Sequence, residues 1–132
     1  RVGCMSGPNL AREIANQHPA ATVIASKFEE VIREGESAIR SKRLQVYGNH
    51  DIYAVELAGV LKNSMALAAG ALGGLGYGQN AMAFLITRGM GEIIRLATAM
   101  GADKQAFLGL AGIGDLVATC TSPLSRNYCH FY

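Results

Sequence analysis

Few cysteines, little net charge and no paired metal ligands narrow this 132-residue sequence before any motif is read. Cys4, Cys120 and Cys129 have neither the even count nor the spacing of a disulfide framework, and no C-x-x-C pair occurs. Reduced thiols in a cytoplasmic setting are therefore expected. His18, His50 and His130 stand far apart and share no motif, so no metal site is expected. Twelve basic residues against ten acidic ones leave a net charge of +2, scattered and not interleaved with aromatics. That pattern points away from a nucleic-acid partner. A glycine-rich phosphate loop placed after a first strand is missing too. The cluster Gly74-Leu75-Gly76-Tyr77-Gly78 follows a helical pattern instead, and reads as a tight helix-to-helix turn. No secretory leader opens the chain, which begins Arg1-Val2-Gly3-Cys4-Met5 without an initiator methionine; a fragment is expected.

Charge is also absent from Asn63 to Thr87, a run of 25 positions. Such a length raises a membrane span. Gly70, Gly73, Gly74, Gly76 and Gly78, with Gln79 and Asn80, break the run in its middle, so two buried helices joined by a turn are expected and no membrane span. Half of the residues are hydrophobic, which suits one soluble domain or pieces of two.

The first fifty residues alternate between strand and helix patterns. Residues 1 to 5 read as a strand end feeding Ser6-Gly7-Pro8-Asn9. Leu10, Ala11, Ile14 and Ala15 then recur at helical spacing, with Pro8 in the first turn and free N–H groups that favour an anion, unless they serve only as a cap. Ala20 to Ala25 reads as a buried strand, Lys27 to Arg33 as a polar helix and Arg43 to Tyr47 as an alternating strand. Asn49 or Asp51 then caps the next helix. This is the pattern of an α/β layer with a parallel component. After Asp51 the strand signals stop. Helical periodicity covers Ile52 to Leu72 and Ala81 to Met100, with Ile86, Met90, Ile93, Ile94 and Ala97 as the buried face of the second helix. Gly101-Ala102-Asp103 stops that helix and starts another. The expected division is therefore 1–50, α/β, and 51–132, all helical.

Glu56 to Gly70 puts one lysine and one asparagine into a helix that is otherwise apolar nearly all round. Gly59, Asn63, Ala66 and Gly70 fall on one stripe, with Lys62 beside it. The stripe has little side-chain bulk, so a helix backbone or a small molecule can approach it closely. Lys62 is either a surface residue with its stem laid along apolar neighbours or a lysine in a partly dry pocket, suited to giving and taking a proton. Three further segments set polar groups among small and apolar ones. In Gly112-Ile113-Gly114-Asp115-Leu116-Val117-Ala118-Thr119-Cys120, Asp115 is an N-cap or a site acid, and Thr119 lies one turn on along the same face. In Ser125-Arg126-Asn127 an arginine stands between two hydrogen-bonding side chains, a grouping that holds a phosphate when it is not simply a solvated loop charge. The third is Ile86-Thr87-Arg88-Gly89.

Taken in order, SGPNLAREI from Ser6, VELAGVLKN ending at Asn63, LITRGMGEIIRLATAMGA from Leu85, GLAGIGDLVATCTS from Gly109 and SRN from Ser125 resemble the bacterial-type NAD(P)-dependent glycerol-3-phosphate dehydrogenase family. The resemblance runs from about Ser6 to Asn127. It implies an oxidoreductase that interconverts sn-glycerol 3-phosphate and dihydroxyacetone phosphate by hydride transfer with NAD or NADP, for phospholipid synthesis. The implied fold is the C-terminal portion of a Rossmann-like domain, 1–50, joined to the N-terminal portion of a helical substrate domain, 51–132. A homodimer is left open.

The resemblance also implies roles. Lys62 matches the catalytic proton acceptor, and Asn63 a substrate contact. Gly7 and Asn9 match substrate contacts and Ala11 a cofactor contact, although the family commonly has Ser or Thr where this chain has Asn9. Asp115 matches a substrate-site acid, with Thr119 beside it. Ser125, Arg126 and Asn127 match the group that binds glycerol 3-phosphate, and Arg126 also the residue that touches the cofactor. Tyr128 to Tyr132 depart from the basic, glycine-containing continuation expected after SRN. The isolated chain is accordingly expected to bind dinucleotide poorly and to turn over little. The alternatives are a dehydrogenase of the same plan acting on another hydroxy acid, with carboxylate in place of phosphate, and a non-catalytic helical fragment.

Overall fold

The computed structural model describes residues 1–131. Three strands and two helices come first: β1 (Gly3–Ser6), α1 (Ala11–Ala15), β2 (Ala20–Ser26), α2 (Glu29–Ile39) and β3 (Leu44–Asn49). The sheet order is β1-β2-β3. The parallel component is β2-α2-β3, in which Ala20 pairs with Leu44 and Ala25 with Asn49. β1 runs antiparallel to β2, with Ser6 opposite Val23. β2 is the buried middle of the sheet, and its alternation sorts the core. Val23 and Ala25 pack with Val55 and Ala111 on one face, while Ile24 packs with Ile32 and Val46 on the other.

From Ile52 on, the described residues are helical or in turns. α3 (Ile52–Gly74) and α4 (Gln79–Ala99) are long, and α5 (Asp115–Thr121) is short. Single turns at Lys104–Leu108, Leu110–Gly114 and Tyr128–Phe131 fill the gaps. Asp51 is the cap of α3: one carboxylate oxygen accepts from Ala54 N at 2.9 Å, and the other accepts from Asp103 N at 2.9 Å. Its side chain thereby joins the start of α3 to the turn that follows α4. The glycine cluster forms the helix-to-helix turn, with Gly76 at φ +76° and Tyr77 N bonded back to Leu72 O.

α3 is long and apolar enough to cross a membrane by length and composition. Here its small-residue stripe is occupied by other parts of the chain. Gly59 faces the Ser6 hydroxyl, and a Cβ at Gly70 would stand 2.4 Å from the Tyr128 carbonyl oxygen. A second close approach joins α3 to α4, where Gly89 leaves room for the Met65 side chain. Met90, Ile93 and Ala97 are buried in the helical core, and Ile86 and Ile94 pack against it.

Pro8 lies outside α1, contrary to the sequence expectation. The helix begins at Ala11 after Leu10. Gly7 at φ +152° sits against the Thr22 backbone, which keeps residues 7–9 off the helical path. α1 has only five residues and buries none of them. A helix that short adds little dipole at its N-terminus.

Candidate active site

Lys62 and Asp115 are 53 positions apart in sequence and form an ion pair, Nζ donating to Oδ2. Lys62 is carried by the middle of α3, and Asp115 by the first turn of α5. The Asp115 side chain is 5% exposed and that of Lys62 22%, against 76% and 51% for the surface pair Arg33–Glu29. An exposed pair contributes ~0–1 kcal/mol. A buried pair is often no more stabilising than apolar residues of the same volume, because both charges lose water. Stability is therefore a poor reason for placing this pair within an apolar helical core.

Of the two readings open for Asp115, the capping one fails. Gly114 occupies the cap position and no side-chain cap bond forms. The carboxylate turns inward instead, with Oδ2 on Lys62 and Oδ1 3.2 Å from Thr119 Oγ1, which also donates to the Asp115 carbonyl at 2.6 Å. Oδ2 is held by Lys62, while Thr119, whose single proton goes to the shorter bond with the carbonyl, sits beside Oδ1. The surface reading of Lys62 fails as well, since its amine ends on this carboxylate.

Ser125-Arg126-Asn127 approaches from the other side. Ser125 is buried, and its hydroxyl accepts from Tyr128 N at 3.4 Å. Asn127 Nδ2 donates to Asn63 Oδ1 at 2.7 Å, while Asn63 Nδ2 donates to Gly59 O within α3 at 3.3 Å. Arg126 is exposed, and among the described residues it has no ion-pair partner. Lys62 and Asp115 offset each other, which leaves Arg126 as the uncompensated charge. An anion is the complement to such a site.

Ten of the residues singled out in the sequence line one cavity of about 430 Å³: Gly7, Asn9, Ala11, Lys62, Asn63, Asp115, Thr119, Ser125, Arg126 and Asn127; the segment Ile86-Thr87-Arg88-Gly89 does not, and Arg88 and Gly89 line a separate apolar hollow between α3 and α4. Leu10 and Leu124 complete the lining of the first cavity. Sequence reasoning passed over these two, and also Thr22, whose hydroxyl holds Asn9 from beneath. The available signal for Thr22 was a polar residue inside an otherwise apolar strand. Cys120 is fully buried in α5. Burial pushes its thiol up to about 11, the Asp115 charge adds to the rise, and Lys62 opposes it.

Residues 51–130 match the family model described as NAD-dependent glycerol-3-phosphate dehydrogenase C-terminus, and residues 1–32 the corresponding N-terminus. A glycerol-3-phosphate dehydrogenase (NAD(P)+) of Parafrankia sp. is 56% identical over 127 residues, covering 96% of this chain and 38% of its own length. That of Thermobifida fusca is 52% identical with the same coverage. The chain thus spans well under half the length of the curated relatives it matches. Among solved structures, the glycerol-3-phosphate dehydrogenase of Coxiella burnetii is 43% identical with a TM-score of 0.92, covering 96% of this chain and 39% of that one. A glycerol-3-phosphate dehydrogenase structure from Saccharomyces cerevisiae is 29% identical with a TM-score of 0.81 over 94% of this chain and 38% of that one. The α/β portion is accordingly part of a Rossmann-like domain and the remainder part of a helical domain. With matching models along most of its length and a shared fold, the chain belongs to the NAD-dependent glycerol-3-phosphate dehydrogenase family.

Proposed function

We propose that this chain carries the substrate half of an oxidoreductase that interconverts sn-glycerol 3-phosphate and dihydroxyacetone phosphate with NAD or NADP, supplying glycerol 3-phosphate for phospholipid synthesis. The activity belongs to a protein of the relatives' length, with residues 1–50 as the end of the dinucleotide-binding domain and 51–132 as the beginning of the helical substrate domain. The supporting observation is a lysine–aspartate pair and an uncompensated arginine lining the same cavity.

Oxidising the secondary alcohol removes a hydride from C2 and a proton from its oxygen. Lys62, as the neutral amine, takes that proton while the C–O single bond becomes a carbonyl. In the reverse direction Lys62, as the ammonium, donates toward the ketone oxygen and protonates the forming alkoxide. Asp115 stabilises the ammonium and fixes where the amine points. Arg126 binds the phosphate, assisted by Ser125 and by the linked amides of Asn63 and Asn127, and so holds C2 in a set position.

The residues fit the nicotinamide end of a dinucleotide. Ala11 is small and exposed at the cavity edge, and Arg126 has a free charge to offer. Bound there, the nicotinamide supplies the hydride acceptor. Gly7, Asn9 and Ala11 form the wall on its side.

Another hydroxy acid as substrate is disfavoured by the cluster around Arg126, which suits a phosphate dianion. Comparing glycerol 3-phosphate with 3-hydroxybutyrate as substrates of the full-length enzyme tests the choice. We expect kcat/KM to favour the phosphate ester by about 100-fold or more, in keeping with a charged, hydrogen-bonded group being read. Equal turnover of both would overturn the reading.

We also read the protein as cytoplasmic, supported by three free cysteines, and as a homodimer, supported by the exposed Leu75, Tyr77 and Phe84 around the α3–α4 turn. A full-length enzyme that remains monomeric in light scattering would remove the second of these.

A further inference from the structure

Asp115 stands at the exit of a turn wider than an α-helical one. Within Leu110–Gly114 the Gly114 N–H reaches five residues back, to Gly109 O at 3.2 Å, and Gly112 N shares that acceptor at 3.2 Å. A π-type turn of this kind holds one extra residue, which swings everything after it by about 100° round the helix axis. The direction in which the Asp115 carboxylate leaves α5 therefore depends on how this turn is held. Two contacts hold it, one from each half of the chain. Ala111 is 2% exposed and packs with Val23 and Ala25 of β2 and with Val55 of α3. Gly112 is buried with its backbone laid on that of Phe107, so that an added Cβ would overlap the Phe107 carbonyl. Phe107 is itself fully buried in the helical core. Gly112 has no left-handed φ, so space alone asks for glycine there. Its neighbours differ: at Gly109 and Gly114 an added Cβ would meet nothing closer than 3.6 Å.

We propose that Ala111 and Gly112 are positioning residues: wedged between β2 and Phe107, they aim the Asp115 carboxylate at Lys62 and so set where the amine meets the substrate hydroxyl. The inference rests on the dehydrogenase reading above and deepens it, because it names what holds the proton-transfer pair in register with both halves of the chain. Neither residue lines the cavity, and neither carries a group that reacts. Their influence is routed through Asp115. It belongs in kcat, while the grip of Arg126 on the phosphate is left alone.

The test is steady-state kinetics of the full-length enzyme on glycerol 3-phosphate, at a temperature where thermal unfolding shows each variant folded. Gly112→Ala is expected to lower kcat about 10- to 100-fold, the cost of a small misplacement, with KM held within about twofold. Ala111→Gly, which removes the methyl seated on β2, should lower kcat by a smaller factor with the same split. Gly114→Ala has room for its methyl and should match wild type. On an Asp115→Asn background, Gly112→Ala should cost less than about twofold more, because the group it acts through is already disabled. Losses that multiply, a KM rise as large as the fall in kcat, or wild-type kcat in a folded Gly112→Ala enzyme would each overturn the proposal. If Gly112→Ala does not fold, Ala111→Gly decides: it must lower kcat alone and add nothing beside Asp115→Asn, and wild-type kcat or a multiplied loss overturns the proposal. A wild-type enzyme inactive on glycerol 3-phosphate refutes the dehydrogenase reading itself. An active wild type with indifferent variants refutes only the positioning role.

Discussion

The amide of Asn127 donates to the amide oxygen of Asn63 across 2.7 Å, joining the loop after α5 to the middle of α3. Asn127 follows Arg126 in sequence and Asn63 follows Lys62, the two residues proposed above for the phosphate and for the proton. On the proposed reading, this bond sets the spacing between the phosphate end and the reacting end of the site. Asn63→Ala and Asn127→Ala in the full-length enzyme are each expected to raise KM for glycerol 3-phosphate several-fold. The double variant should lose little more than the worse single one, with a coupling of ~0.5–3 kcal/mol. Steady-state kinetics in a double-mutant cycle measures it; strictly additive losses would contradict the linkage.

Lys62→Met should remove the proton acceptor while keeping most of the side-chain volume. The expected loss in kcat is ~10²–10⁴-fold, the usual range for general acid–base catalysis, with circular dichroism unchanged. The buried Asp115 loses its ion partner, so the melting temperature should fall too. Lys62→Met combined with Asp115→Asn should recover part of that fall without recovering rate. A single Lys62→Met variant that keeps wild-type kcat would remove Lys62 from the chemistry.

Two glycines in long helices should respond to alanine with opposite signs. At Gly91 in α4 nothing stands within 4 Å of an added Cβ, so the gain in helix propensity prevails and Gly91→Ala stabilises by ~0.5–1 kcal/mol. At Gly70 the Cβ would meet the Tyr128 carbonyl at 2.4 Å. Overpacking there costs ~1–3 kcal/mol, which outweighs the propensity gain. Thermal unfolding of the two variants checks the sign. Gly70→Ala should also raise KM, because the Tyr128 backbone follows directly on Ser125-Arg126-Asn127.

The cysteines should separate by reactivity and by pH. Cys129 is exposed and Cys120 buried, so a thiol reagent at neutral pH should modify Cys129 and reach Cys120 only on unfolding. The thiol of Cys120 rises from near 9 to about 11 on folding. The unfolded chain therefore loses its proton first, and the stabilisation present below about pH 9 fades as pH rises toward 11. Denaturant titrations across that window should show the fall, and Cys120→Ala should show a shallower one.

How far the sequence revealed this arrangement depends on the range of the forces involved. The small-residue stripe of α3 follows from helix geometry alone, and both of its outer glycines meet other parts of the chain. Lys62 was ambiguous because a helix wheel cannot say which neighbour faces it; the neighbour is Asp115, brought by a second helix. Asp115 itself looked like a cap because local sequence favours that use, and a long-range partner won. The direction of β1 was not legible either, since strand pairing is set by contacts across the sheet. Pro8 carried a helix-start signal that the left-handed Gly7 and its contact with Thr22 override. Thr22 escaped notice because its importance lies in whom it binds, and a lone threonine in a strand does not declare its partners.

The Lys62–Asp115 pair is assembled from two helices separated by a long excursion through α4 and two short turns. Lys62 and Asp115 therefore meet only where the chain returns to α3 after α4, and a polypeptide ending within that excursion lacks the carboxylate with which the Lys62 amine is paired.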